Sequence, residues 1–195
     1  MAVARRCRPL QWRSLGTALA QGIGFNNEGS RLSSQSVMSD LRISKERRAA
    51  TLTLSDGRQI AGSFFVAGSS VSHAGPERVK DILNSPNAFF PFEISDGVGQ
   101  HTGIFNREQV IVVELATDEA NSEAAYDVAT RRSVEMLLSN GRRLKGLVRV
   151  YCPRGSDRLS DYTRAEEMFR YLETPDALLA INFRHVLELS EVEAA

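Results

Sequence analysis

Residues 47–62, RRAATLTLSDGRQIAG, align without a gap on residues 131–146, RRSVEMLLSNGRRLKG, at an offset of 84. The paired arginines recur, as do Leu54 with Leu138, Ser55 with Ser139, Gly57 with Gly141, Arg58 with Arg142 and Gly62 with Gly146. Further on the offset is 80, matching Arg78 with Arg158, Asp81 with Asp161, Phe89 with Phe169 and Glu93 with Glu173. At the ends it is 76, matching Asn106 with Asn182 and Val110 with Val186. A register kept through two small length changes marks a duplicated supersecondary unit. The expected organisation is an N-terminal extension over 1–40, one module over 42–116, an acidic Ala-rich linker over 117–127 and a second module over 128–192. A module of about 70 residues buries too little surface to be robust alone. Two of them are expected to share an interface.

Each copy carries the same local pattern. Leu52 and Leu54 alternate with polar residues, Asp56-Gly57 supplies a turn, and Ile60, Gly62, Phe64 and Val66 alternate again, which is a β-hairpin signature. For Leu54 and Ile60 to share a face, an odd number of residues must separate the paired flanks, or a bulge must intervene. That favours a three-residue, glycine-containing loop over a two-residue turn. Gly75-Pro76-Glu77 then signals a helix start, Val79, Ile82 and Leu83 give it one apolar face, and Pro86 ends it. In the second copy Ser156-Asp157 is the expected cap, with Leu159 and Tyr162 on the face. An aromatic strand follows, containing Phe89, Phe90 and Phe92, or Phe169, Tyr171 and Leu172. A final strand pair closes each copy.

The segments LTLSDGRQIAG and LLSNGRRLKG resemble the first motif of Sm-like proteins, and IFNREQVIVVEL and INFRHVLELS are similar in outline to the second. The whole repeat also resembles a bacterial domain family of unassigned function, and its hairpin is shared by other SH3-like barrels. The resemblance implies a fold class that is mainly β with short helices (α+β). It comprises two pseudo-repeated small SH3-like or Sm-like barrel modules, each strand–strand–helix–strand–strand. It also implies RNA as a ligand class. The second segment departs from the Sm pattern by lacking the basic-Gly or Lys-His-Ala signature. Only Asn106 and Asn182 stand near the corresponding place.

Charge bears on partners. The chain has 24 basic and 24 acidic residues. Residues 1–37 hold Arg5, Arg6, Arg8, Arg13 and Arg31 against Glu28, so the remainder is slightly acidic. A near-neutral body argues against general nucleic-acid binding, which rests on neutralising phosphates. The Arg-rich start is expected to be a disordered leader or sequence upstream of a true start at Met38. Cys7 and Cys152 are too few and too far apart for a disulfide framework or a metal site. No apolar run is long enough to span a membrane, and the expected location is the cytoplasm.

His73, His101 and His185 do not recur at equivalent positions, and none has a metal-like or triad-like neighbour in sequence. No catalytic residue and no cofactor is expected. The strongest candidate site is electrostatic. If Leu144, Gly146, Val148 and Val150 face the core, then Arg143, Lys145 and Arg149 share the opposite face, with Arg131, Arg132 and Arg142 near in sequence. Arg131, Arg132, Arg142, Arg143, Lys145, Arg149, Asn106 and Asn182 form the candidate anion- or partner-binding set. The expected function is a non-catalytic adaptor or regulatory protein acting through protein–protein contacts. RNA binding by the basic face of the second module is the alternative, and self-association is left open.

Overall fold

Strand β1 (Lys45–Leu54) and strand β2 (Gln59–Ala67) pair antiparallel, with Leu52 opposite Ile60 and Thr53 opposite Gln59. The Leu54 amide donates to Arg58 O at 2.9 Å, which leaves Ser55, Asp56 and Gly57 as a three-residue loop, as parity requires. Gly57 supplies the turn with φ of 87°, a conformation costly for any residue with a Cβ. The twin hairpin joins β6 (Thr130–Leu138) to β7 (Arg143–Val150) through Ser139, Asn140 and Gly141. The loop is closed by Leu138 N donating to Arg142 O at 2.9 Å. The computed structural model describes residues 45–97, 99–115, 129–151 and 158–193. The N-terminal extension, the 117–127 linker, both cysteines and the Ser156-Asp157 cap lie outside them.

After β2 comes one helical turn, α1 (Val79–Leu83). It begins later than Pro76, because the Asp81 carboxylate accepts from the Arg78 amide at 2.8 Å and fixes the start there. Val79 and Leu83 are buried. Strands β3 (Phe89–Asp96), β4 (Gly99–Asn106) and β5 (Val110–Leu115) complete the first repeat, with a single 3-10 turn over Arg107–Gln109 between the last two. The second repeat continues with α2 (Leu159–Thr163), β8 (Phe169–Glu173) and β9 (Leu178–Asn182). A 3-10 turn over Phe183–His185 leads into β10 (Val186–Glu191).

These strands do not form two barrels, and the class is not α+β. Among the described residues they make one ten-stranded antiparallel sheet in the order β10-β6-β7-β8-β9-β5-β1-β2-β3-β4, with only single helical turns added. Each repeat has five strands rather than four, arranged fifth–first–second–third–fourth. Closing the first repeat on itself would require β5 to pair with β4. Instead β5 pairs with β9 of the other repeat, matching Val112 with Ile181, Val113 with Ala180, Glu114 with Leu179 and Leu115 with Leu178. The described residues all belong to one compact unit.

The sheet must still bend sharply inside each repeat. In a flat sheet β4 and β5 would lie about 19 Å apart, four strand spacings. The connection from Asn106 to Val110 reaches only about 13 Å. Gly62 and Gly146 permit the bend. A Cβ on Gly62 would fall 2.0 Å from Glu93 O and 2.5 Å from the Phe92 ring; one on Gly146 would fall 2.5 Å from Glu173 O. The conserved spacing of these two glycines between the copies therefore reflects backbone crossing backbone. The concave side gathers Phe64, Phe90, Phe92 and Phe105 of the first repeat, in stacked and edge contacts with centroids 5.0–6.2 Å apart. The two cores exchange residues across the junction. Phe169, Tyr171, Leu178 and Ala180 pack with the first repeat, and Ile111 and Val112 pack with the second.

Replacing Gly62 or Gly146 by alanine should lower unfolding free energy by about 2–3 kcal/mol, the upper range for overpacking, as read by urea denaturation. Gly57→Ala, whose Cβ would meet open space, should cost about 1 kcal/mol through its backbone conformation alone. Equal losses at the three sites would contradict the close-crossing role.

Candidate functional site

The hairpin loops and the 3-10 turns of both repeats converge on one polar surface at the junction. In the first repeat Ser55 donates its amide to Gln109 O at 2.8 Å and bonds Gln109 Oε1 through Oγ at 2.6 Å. In the second, the Ser139 amide donates to His185 O at 2.8 Å, and Ser139 Oγ lies 2.8 Å from His185 Nδ1. His185 Nε2 sits 2.8 Å from Glu108 O, so Nε2 carries the proton and Nδ1 accepts from the serine. Arg184 pairs with Glu108 across the same junction. Each 3-10 turn is capped by its asparagine: Asn106 Oδ1 accepts from Glu108 N at 2.9 Å, and Asn182 Oδ1 from Arg184 N at 3.0 Å. Asn182 is also fully buried and donates Nδ2 to Val110 O at 2.9 Å, in the other repeat. Both asparagines of the candidate set thus hold turns, and Asn182 also ties the repeats together.

The candidate cations are dispersed along β6, β7 and the loop between them, and four of the six are met by carboxylates. Arg149 is buried and forms a two-point ion pair with Glu173, 2.5 and 3.2 Å. Arg143 and Lys145 both reach Glu135, each at 3.3 Å. These cations hold the Glu135 carboxyl below the usual carboxylate range, Lys145 most strongly. Arg132 donates to Glu191 at 3.0 Å. Together with Arg131, these two residues line a shallow open cleft at the start of β6 that Glu193 also borders. Among the described residues no carboxylate pairs with Arg131 or Arg142. Arg58, the twin of Arg142, is held by Asp56 at 2.6 Å; Asn140 in the second copy offers no such charge.

The matched acids Glu93 and Glu173 show how the repeats diverged. Glu93 takes a two-point contact from Arg47 on β1, 2.6 and 2.9 Å. Arg47 lies opposite Phe65, and the twin pair in the second repeat is Arg131 opposite Arg149. The second copy places its ion-pairing arginine one strand nearer the acid and so leaves Arg131 exposed. The duplicated acid was visible in the sequence; the change of partner strand was not.

Two further polar groups are structural. His73 Nε2 lies 2.7 Å from Asp81 Oδ2, and Nδ1 lies 3.1 Å from Ala74 O. Both partners are acceptors, so the imidazolium is favoured, and the Asp81 hydrogen bond raises the His73 pKa. Burial opposes ionisation of Asp81, yet hydrogen bonds from Arg78 and His73 outweigh it and keep that carboxyl low. His101 stands 3.9 Å from Asp96. Arg170 is buried where the first repeat has Phe90. Its guanidinium bonds the carbonyl oxygens of Tyr162, Ala165 and Glu167 and stacks over the Phe183 ring at 4.0 Å, so it fastens the segment after α2. Among the described residues no cluster of His, Cys, Asp and Glu could hold a metal ion, and no helix is long and apolar enough to cross a membrane.

No protein-family model, curated protein or solved structure matches this chain. The likeness of its hairpin segments to Sm-like proteins rests on those residues alone.

Arg149→Ala should destabilise by about 3 kcal/mol by leaving Glu173 unpaired, whereas the double change Arg149→Met with Glu173→Leu should recover most of the loss. Chemical denaturation of the three variants checks this. In NMR titration His73 should have its midpoint above the ordinary histidine value of about 6.5, and Asp81→Asn should return it there. A raised folded value means the contribution to stability is complete below the unfolded pKa and fades as pH rises through the folded one. A loop around His73 that loosens toward acid pH would contradict the pairing.

Proposed function

We propose that the protein is a non-catalytic binding scaffold that engages other polypeptides through the open edges of its sheet. The observation that supports this most is that, among the described residues, β4 and β10 end the strand order with one side of each unpaired, while Ile104 and Leu187 on these strands are exposed. An open edge presents a row of free amide and carbonyl groups, and strand addition is a recurrent way to bind a polypeptide. Neither edge carries a proline, and β4 over Gly99–Asn106 has no lysine or arginine to repel an incoming strand. The internal engagement of Arg132, Arg143, Lys145 and Arg149 supports the same choice, because cations that neutralise carboxylates are poorly placed to neutralise phosphates.

Nucleic-acid binding by the second repeat is the other reading, and the exposed, carboxylate-free Arg131 and Arg142 favour it. Immobilised protein exposed to native lysate separates the two. Retained proteins should survive nuclease treatment and moderate salt, and should be lost from Ile104→Glu or Leu187→Glu protein. Retention that nuclease abolishes, or direct binding of a single-stranded RNA that falls steeply with salt and with Arg131→Glu plus Arg142→Glu, would overturn the scaffold reading.

A further inference from the structure

The internal junction between the repeats is a worked example of how the two open edges can be filled. The β5 edge of the first repeat meets the β9 edge of the second. The sequence offsets make β10 the twin of β5, and β4 the twin of β9. The free edges are thus the two halves of the same joint, one at each end of the sheet.

Their exposed apolar residues occupy positions that the internal joint buries. Ile104 is 67% exposed and its twin Ala180 is 0% exposed; Leu187 is 67% exposed and its twin Ile111 is 1% exposed. Ile111 packs into the core of the second repeat and Ala180 into that of the first, so each crosses the junction. Phe89 is 55% exposed, whereas its twin Phe169 is fully buried beside α1. The Asn84 side chain at the end of α1 holds the Phe169 backbone, donating Nδ2 to Phe169 O and accepting from Phe169 N at Oδ1, each at 2.9 Å. The twin of α1 is α2, which lies beside β7 as α1 lies beside β2.

Part of the polar joint is retained as well, although Lys80, Glu167 and Asn84, which also join the repeats, are replaced in their twins by Ser160, Asn87 and Arg164. Asn182 donates across the junction to Val110 O. Its twin Asn106 uses Oδ1 for the local cap, and among the described residues its Nδ2 has no partner. Arg184 and Glu108, which pair across the junction, occupy equivalent places in the two repeats. Repeating the joint therefore sets Arg184 of one copy against Glu108 of the next, again as opposite charges.

We infer that the chain assembles head to tail with further copies of itself, β10 of one copy adding antiparallel to β4 of the next. The internal register transfers as Leu189 opposite Ile104 and Ser190 opposite Gly103. This rests on reading the edges as binding sites and names their occupant. The contact is heterologous, so it grows into a closed ring or a filament and does not stop at a symmetric pair.

Sedimentation velocity on the full chain tests it. Wild type should show mass above one chain, rising with concentration. Ile104→Glu and Leu187→Glu proteins should each sediment as single chains with unchanged far-UV circular dichroism, and a mixture of the two should form a one-to-one dimer through the intact edge of each. Asn106→Ala should weaken assembly by about tenfold, the loss of one hydrogen bond. As a check independent of edge charge, Ile104→Cys with Leu189→Cys, on a chain with Cys7 and Cys152 replaced by serine, should oxidise to a ladder of linked copies. Either single cysteine variant should stop short of a ladder. A wild type that stays a single chain up to about 1 mM, or a dimer that survives Ile104→Glu, would overturn the inference. Loss of a different bound protein on edge substitution, in a chain that never self-associates, would overturn self-assembly while upholding the scaffold reading.

Discussion

The backbone ladder between β5 and β9 is the constraint on which the rest of the fold depends. Without it each repeat would be a five-stranded curl with two open edges, too small to bury a sufficient core. With it, two edges are consumed, the cores exchange side chains, and buried residues such as Val113, Leu178 and Ile181 gain neighbours from both halves. The same ladder creates the polar seam of Glu108, Asn182, Arg184 and His185, because it aligns the 3-10 turn before β5 with the one after β9. It also fixes which edges stay open. A joint of the fifth-strand-to-fourth-strand kind, used once, always leaves one strand of each kind over.

Duplication kept the backbone devices and released the side chains. The loop glycines Gly57 and Gly141 and the crossing glycines Gly62 and Gly146 serve equal roles in both copies, since each meets a steric requirement that does not depend on the surrounding core. The cores themselves diverged. Four phenylalanines pack together in the first repeat, where the second has Val148, Arg170, Leu172 and Ile181. Arg170 is tolerated there because backbone carbonyls and two aromatic rings surround its guanidinium, offsetting the cost of burial. The acid on the third strand persisted while its arginine moved from β1 in one copy to β7 in the other.

The surroundings of the candidate residues were not legible in one dimension for a definite reason. Alternation along β7 correctly separates Val148 and Val150 from Arg143 and Lys145, but it assumes that the opposite face is solvent. Glu173 on β8 pairs with Leu147 and shares that face, so Arg149 is covered and paired while Arg143 and Lys145 remain at the surface. The structure places both asparagines at the start of 3-10 turns. Their work, capping a 3-10 turn and in Asn182 also reaching across the junction, depends on a turn type that no hydrophobic pattern announces.

Local chemistry was therefore set by the sequence: the duplication, the three-residue glycine loops, the alternation of each strand and the glycines at the crossings all follow from steric rules that act over a few residues. How the strands close was decided in three dimensions. Pairing β5 with its own β4 or with β9 satisfies the same backbone donors and acceptors, and nothing in the period-2 pattern of either strand distinguishes the two. The packing of Phe169, Ile111 and Ala180 into the neighbouring repeat, with the junction contacts of Asn182, Arg184 and Asn84, favours the continuous sheet over two closed ones, because burial of apolar surface is a property of the whole assembled core and not of any one segment.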